Sequence, residues 1–242
     1  VTLLSVIQSA ADEINLPPVT QVIGNQDQTV RGLLRAFVKE GRDLLQEDPP
    51  WSALINEYTF DTVDQQEEYA FPQDYQRMIN NTAWDRNQFW QIRGGITPQQ
   101  WQVIRSGLYQ TARLSSNFRI KQGSDKISKA FYLDPIPTSA RTLVFEYQSK
   151  WWLYDPDSAN QRLGAPTADT NGIIFDDELV ARGVIWRFLS ARNLPFLSEL
   201  EDYRQYRKRS IAQDRSPPTL TVNEQPWRLP IGNVPDTGFG IT

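Results

Sequence analysis

Carboxylates crowd at three places in the chain: Glu67-Glu68, Asp176-Asp177, and Glu199 with Glu201-Asp202. Two carboxyls ~5–9.5 Å apart across a cleft would suit glycoside hydrolysis, and a larger set of oxygens would suit magnesium or calcium. Other acid–base or nucleophilic chemistry has little to draw on, because the 242 residues include no His and no Cys. Ser-His-Asp and Cys-His catalysis, His-ligated metals, thiolate ligands and disulfides are excluded together. The acid pairs also have plainer explanations. Neighbouring residues on a strand point to opposite faces, so Glu67 and Glu68 are poorly placed to share a substrate. Asp176-Asp177 stands where a helical pattern begins, and acids favour that end of a helix. Gly94-Gly95 lacks the Gly-Lys-Ser/Thr that would make it a phosphate loop. The reading is a protein with no catalytic residue, no metal site and no cofactor, whose chemistry is contact.

Charge and composition agree. The formal net charge is −4, which argues against a general nucleic-acid binder while suiting a channel through which DNA slides. Of the 25 basic residues 19 are Arg, the cation favoured at protein interfaces. Arg204, Arg207, Lys208 and Arg209 form one basic cluster. It reads as a solvated helix face, or as a contact for DNA phosphate or an acidic partner. Eight Trp and nine Tyr would serve sugar stacking, a core or an interface equally well. No secretory signal is expected from Leu3-Leu4-Ser5-Val6-Ile7, which runs into Asp12-Glu13 without preceding basic residues. No apolar run approaches the ~18 residues of a membrane span, and folding in a reducing cytoplasm is expected.

The elements that must position these residues follow from periodicity. Leu3, Ile7, Ala10 and Ile14 share one face of a helix over 2–15 that Pro17-Pro18 ends. A second helix starts at Asp27 as N-cap and runs to about Glu47, with an apolar stripe of Val30, Leu33, Leu34, Phe37, Val38, Leu44 and Leu45. The period then switches to two. Glu57–Val63 reads as a strand, Asp64–Gln66 as a turn and Glu68–Phe71 as the returning strand. Further strands are expected at 77–84, 117–121, 129–133 and 142–151. Between them Thr97-Pro98-Gln99-Gln100 carries the marks of a helix start: Thr as cap, Pro first, Gln three residues on. Residues 154–172 show no periodicity and are expected to be a long loop. Two helices close the pattern, one after Asp176 and one over roughly 196–214, the latter with Leu197, Leu200, Tyr203 and Tyr206 as its stripe.

The fold class expected is therefore α+β. Residues 1–53 and 173–214 would form a four-helix bundle, and 54–153 a central antiparallel domain, sandwich or barrel-like, with one inserted helix. Residues 215–242 are different in kind. Five prolines there bar a helix or a central strand. Left alone such a segment should be disordered. Its spaced apolar residues Leu220, Val222, Pro226, Trp227, Leu229, Ile231, Phe239 and Ile241 could instead seat an extended arm in pockets of a partner or sister subunit. An arm folded back on its own domain is the other reading.

Several segments together resemble the head-to-tail adaptors of tailed bacteriophages, related to the tail tubular protein A type of short-tailed phages. They are Thr2–Gln8, Asn25–Leu34, Tyr69–Ile79 with Thr82–Arg86, Gly95–Trp101, Ala168–Thr170, Gly183–Arg187 and Asn193–Phe196. The likeness runs from about residue 2 to 214. It implies a ring, commonly of twelve copies, docked beneath the portal at the head–tail junction of the virion after assembly in the host cytoplasm. Such a ring would join portal to tail or nozzle and continue the channel for double-stranded DNA without sequence-specific binding, and with no membrane involved. A carbohydrate-binding or hydrolytic tail component, or a tail-tube or tail-completion protein, remain as alternatives.

Overall fold

A computed structural model describes residues 1–94, 96–106 and 116–214. The chain opens with helices α1 (Leu3–Glu13) and α2 (Gln28–Leu44) and closes with α4 (Asp177–Ala191) and α5 (Leu197–Asp214). The starts of α1, α2 and α4 are capped, the latter two by the acids expected there. Thr2 and Ser5 exchange side-chain-to-backbone hydrogen bonds, and the Asp27 and Asp176 carboxylates accept from Thr29 N and Glu178 N. Helix α4 is apolar on nearly every side, burying Leu179, Val180, Ala181, Val184, Ile185 and Phe188. A helix of that composition belongs in the middle of a layer. Accordingly α4 packs against α1, α2 and α5, while α1 and α2 meet only lightly. Of the stripe expected on the last helix, Tyr203 is buried and Leu200 and Tyr206 pack against the core at its side, whereas Leu197 is exposed.

The middle of the chain is antiparallel throughout its named sheets. Strand β1 (Ile55–Asp61) pairs with β8 (Thr142–Ser149) along its length. The other edge of β8 is shared end to end by β3 (Tyr75–Met78) and β4 (Trp84–Asp85), and β4 continues to β5 (Trp90–Gln91). A second sheet runs β2 (Glu68–Ala70), β7 (Lys129–Asp134), β6 (Asn117–Gln122). Two expectations are corrected here. Residues 68–70 do not return along β1; they cross to the second sheet, so no local hairpin forms at Asp64–Gln66. The single strand expected over 77–84 is two strands separated by a turn, because β8 is longer than either and takes both.

The two sheets face each other across a core of rings. Phe131 of β7 lies 5.7 Å from Phe145 of β8 and 5.8 Å from Phe60 of β1, and stacks on Phe118 of β6 at 4.7 Å. The sheets stay open at their edges, a sandwich in place of a closed barrel. The inserted helix α3 (Pro98–Arg105) forms with the expected Thr97–Gln100 capping box and buries Trp101 against Ala130 and Tyr132.

Residues 154–172 are not structureless. They contribute β10 (Gln161–Leu163) and the start of β11 (Gly172–Ile173), which flank β9 (Leu153–Asp155). Strands of two or three residues are too short to show an alternation, which is why they leave no trace in the sequence. The loop between them is tied by side chains. The Asn171 carbonyl oxygen of the side chain accepts from Thr167 N and Ala168 N at 2.7 and 2.8 Å. Asp169 accepts from Val22 N and Ile23 N at 3.0 and 2.7 Å. The loop thus fastens the connection between α1 and α2.

Candidate partner-binding surfaces

The helical layer is held at its centre by charge. On α2, Glu40 falls on the same stripe as Leu33, Phe37 and Leu44 and is fully buried. Its carboxylate accepts from Arg187 Nε of α4 at 2.7 Å and from the Tyr203 hydroxyl of α5 at 2.6 Å. Arg187 also reaches Asp43 at 2.7 Å. Gly183 makes the space, since a Cβ there would overlap the Glu40 carboxyl group. Burial pushes the Glu40 carboxyl above the usual carboxylate range, against the pull of Tyr203 and Arg187. This node joins three helices by groups that are each satisfied, so its chemistry is structural.

A second polar bridge joins the layers. Gln148 of β8 donates to Leu45 O at 2.8 Å, and Arg77 of β3 donates to Gln148 Oε1 at 2.6 Å and to Glu47 O at 2.7 Å. The sandwich is therefore fixed to the end of α2.

The basic cluster on α5 divides. Arg207 is turned inward and paired with Glu47, whose side chain is only 17% exposed. Arg204 stands beside Glu201 at 3.9 Å with both side chains largely in water, and Lys208 and Arg209 are exposed. Three of the four cations are thus available to a partner, and the fourth serves the fold. The eight arm positions from Leu220 to Ile241 lie outside the described residues.

Asp176, Glu67 and Glu68 are taken up by local partners. Asp176 caps α4 and accepts from the Tyr206 hydroxyl at 2.8 Å. Glu67 pairs with Arg105 of α3. Glu68 accepts from Ser124 N and the Tyr132 hydroxyl, both at 2.8 Å, and these bonds hold its carboxyl below the usual range. Among the described residues no group of His, Cys, Asp or Glu is arranged to hold a metal ion. No described helix is long and apolar enough to cross a membrane.

Two exposed features were not singled out by sequence reasoning. The first is a groove of about 450 Å³ on the outward face of the five-stranded sheet, with Trp84, Phe89 and Val144 among its walls and Glu57 and Glu146 beside them. Phe89 is 71% exposed. The second is the turn between β6 and β7, where Ile127 is 91% exposed between Lys126 and Lys129. An apolar residue flanked by two lysines between two expected strands was the available signal.

No curated protein matches the chain. The profile of the SU10 adaptor protein family matches residues 1–228, which takes in every helix and sheet described above. In keeping with its resemblance to phage head-to-tail adaptors, the chain belongs to the SU10 adaptor protein family.

Proposed function

We propose that this chain is a structural adaptor of a tailed-phage virion, present as a ring that joins the portal to the tail or nozzle and continues the DNA channel. Membership of the adaptor family over residues 1–228 carries the reading. The resemblance implies twelve copies. The helical layer (1–53 with 173–214) would build the ring, with the β domain (54–153) and the segment 154–172 turned toward neighbours. Residues 215–242 would act as the arm, seating Leu220, Val222, Trp227, Leu229 and their neighbours in pockets of the portal or of a sister subunit. DNA would pass without sequence-specific contact, as a net charge of −4 favours weak attraction to phosphate. Arg204, Lys208 and Arg209 are the cations that remain for an acidic partner or for phosphate.

Imaging virions at the head–tail vertex tests the whole reading: a ring of this chain directly beneath the portal is expected. Finding it elsewhere on the tail, or absent from particles, overturns it. For the arm, truncation after Ser216 should leave a folded protein that no longer joins filled heads. Normal joining by the truncated chain would remove the arm from the account.

A further inference from the structure

The groove on the outward sheet face contains an electrostatic imbalance. Glu57 of β1 and Glu146 of β8 lie directly opposite each other across the strand pair, where like charges repel. Arg86 approaches Glu57 at 3.5 Å, but among the described residues Glu146 has no ion-pair partner. Beside these acids the lining is apolar at Trp84, which stands opposite Val144 in register, and at Phe89, with Arg86 also at the rim. A ligand that fits would present an apolar group beside cations.

The β6–β7 turn presents such a group. Ile127 is not exposed through looseness. Asp125 accepts from Ile127 N at 2.9 Å and from Ser128 N at 3.1 Å. Lys126 N bonds to Gly123 O at 3.0 Å, and the Glu68 carboxylate holds Ser124 N. The tip is thus preorganised, with Lys126 and Lys129 on either side of Ile127 and no ion pair for either among the described residues. Turn and groove belong to opposite layers of the sandwich.

From this complementarity we infer that the groove receives the β6–β7 turn of a second copy of the chain, Ile127 entering between Trp84 and Phe89 while Lys126 and Lys129 meet Glu146 and Glu57. Donor and acceptor patches differ, so the contact is heterologous: each copy gives one and takes one, and the series closes into a ring or runs on. The contact rests on the ring reading and gives it a specific interface. A single turn in a groove covers far less than the ~1,000 Å² of a stable interface, so copies should associate weakly in pairs and firmly only when many are held together.

The absence of native cysteine allows a direct test on the full chain. Ile127→Cys combined with Phe89→Cys, oxidised at rising protein concentration, should give a disulfide ladder extending past the dimer; either variant alone can give dimers at most. Lys126→Glu with Lys129→Glu should lower the concentration-dependent yield about tenfold, and adding Glu57→Lys with Glu146→Lys in the same chain should restore it. Circular dichroism confirms that each variant folds. A ladder that stops at the dimer, no ladder, or a yield indifferent to charge reversal overturns the contact. Counting copies per virion separates the two readings. Several copies at one vertex without any ladder would sink this contact and leave the ring. A ladder from a chain that never joins particles would keep the contact and sink the adaptor reading.

Discussion

The helical layer and the β sandwich are cored in opposite ways. In the sandwich, Phe60, Phe118, Phe131 and Phe145 fill the space between the sheets. In the helical layer an otherwise apolar core is crossed by Glu40, Arg187 and Tyr203, one from each of three helices. Rings tolerate many small adjustments of packing. A buried ion pair accepts only one arrangement of its partners, and here it ties α2 to the α4–α5 pair, Glu40 lying 147 residues from Arg187 and 163 from Tyr203. The difference suggests that shape fills the sandwich, whereas hydrogen-bond geometry sets how the terminal helices register on one another.

Truncating either core tests the contrast most severely. Phe145→Ala should cost about 3–5 kcal/mol through the cavity it leaves, and Arg187→Met should cost about 3–5 kcal/mol by stranding the Glu40 charge. Urea unfolding would measure both. The distinction is in the rescue: Glu40→Met added to Arg187→Met should recover most of the loss, whereas no single neighbouring substitution should do so for Phe145→Ala. Failure of that rescue would mean that the node acts through packing alone.

Smaller effects sharpen the same boundary. Gly41 of α2 lies against Trp152, and a Cβ there would overlap the indole. Trp152 is itself packed between Phe37 and Phe175, at 5.1 and 6.0 Å, so it cannot yield freely. Gly41→Ala should therefore destabilise the protein by about 1–3 kcal/mol, despite the higher helix propensity of alanine. A gain in melting temperature would show that the ring has room to move.

The smallest effect is in pH dependence. Glu40 has its folded pKa raised above the unfolded value near 4.5. Its contribution is complete below the unfolded value and is lost as pH rises through the folded one. Glu68 and Asp125 act in the opposite sense: both are lowered, so their contributions hold above their unfolded values and fade as pH falls through the folded ones. As pH rises above about 4.5 and through the folded value, the wild type should lose stability relative to Glu40→Gln. Parallel curves for the two proteins in that range would contradict the burial cause.

Much of this was legible in the sequence, and what was not has a physical reason. Helix positions and caps follow from local spacing, as Thr97-Pro98-Gln99-Gln100 shows by forming its box as read. Strand partners do not, because alternation reports a strand's faces and is silent on its neighbour. Glu57–Val63 thus reads as half of a hairpin, whereas the strand that forms, Ile55–Asp61, pairs with residues 142–148. Glu40 was hidden for a related reason: a Glu on an apolar stripe is conspicuous only once Arg187, in a distant apolar run, is known to face it. The basic cluster was read as one surface, but Arg207 could be separated from it only by the position of Glu47.

The end of α5 has a mechanical consequence. Both oxygens of the Asp214 carboxylate bind Ser52, at 2.8 Å to its N and 2.5 Å to its hydroxyl, just before β1 begins. On the proposed arm reading, residues 215–242 would be tethered at this point, within a contour length of about 100 Å. Once one site on a subunit is engaged, a target within that radius meets the arm at a local concentration on the order of millimolar. Contacts too weak to be seen between free molecules would then suffice to hold an assembled structure. On the same reading, removing the Ser52 anchor of Asp214 should weaken that hold without altering a residue of the arm.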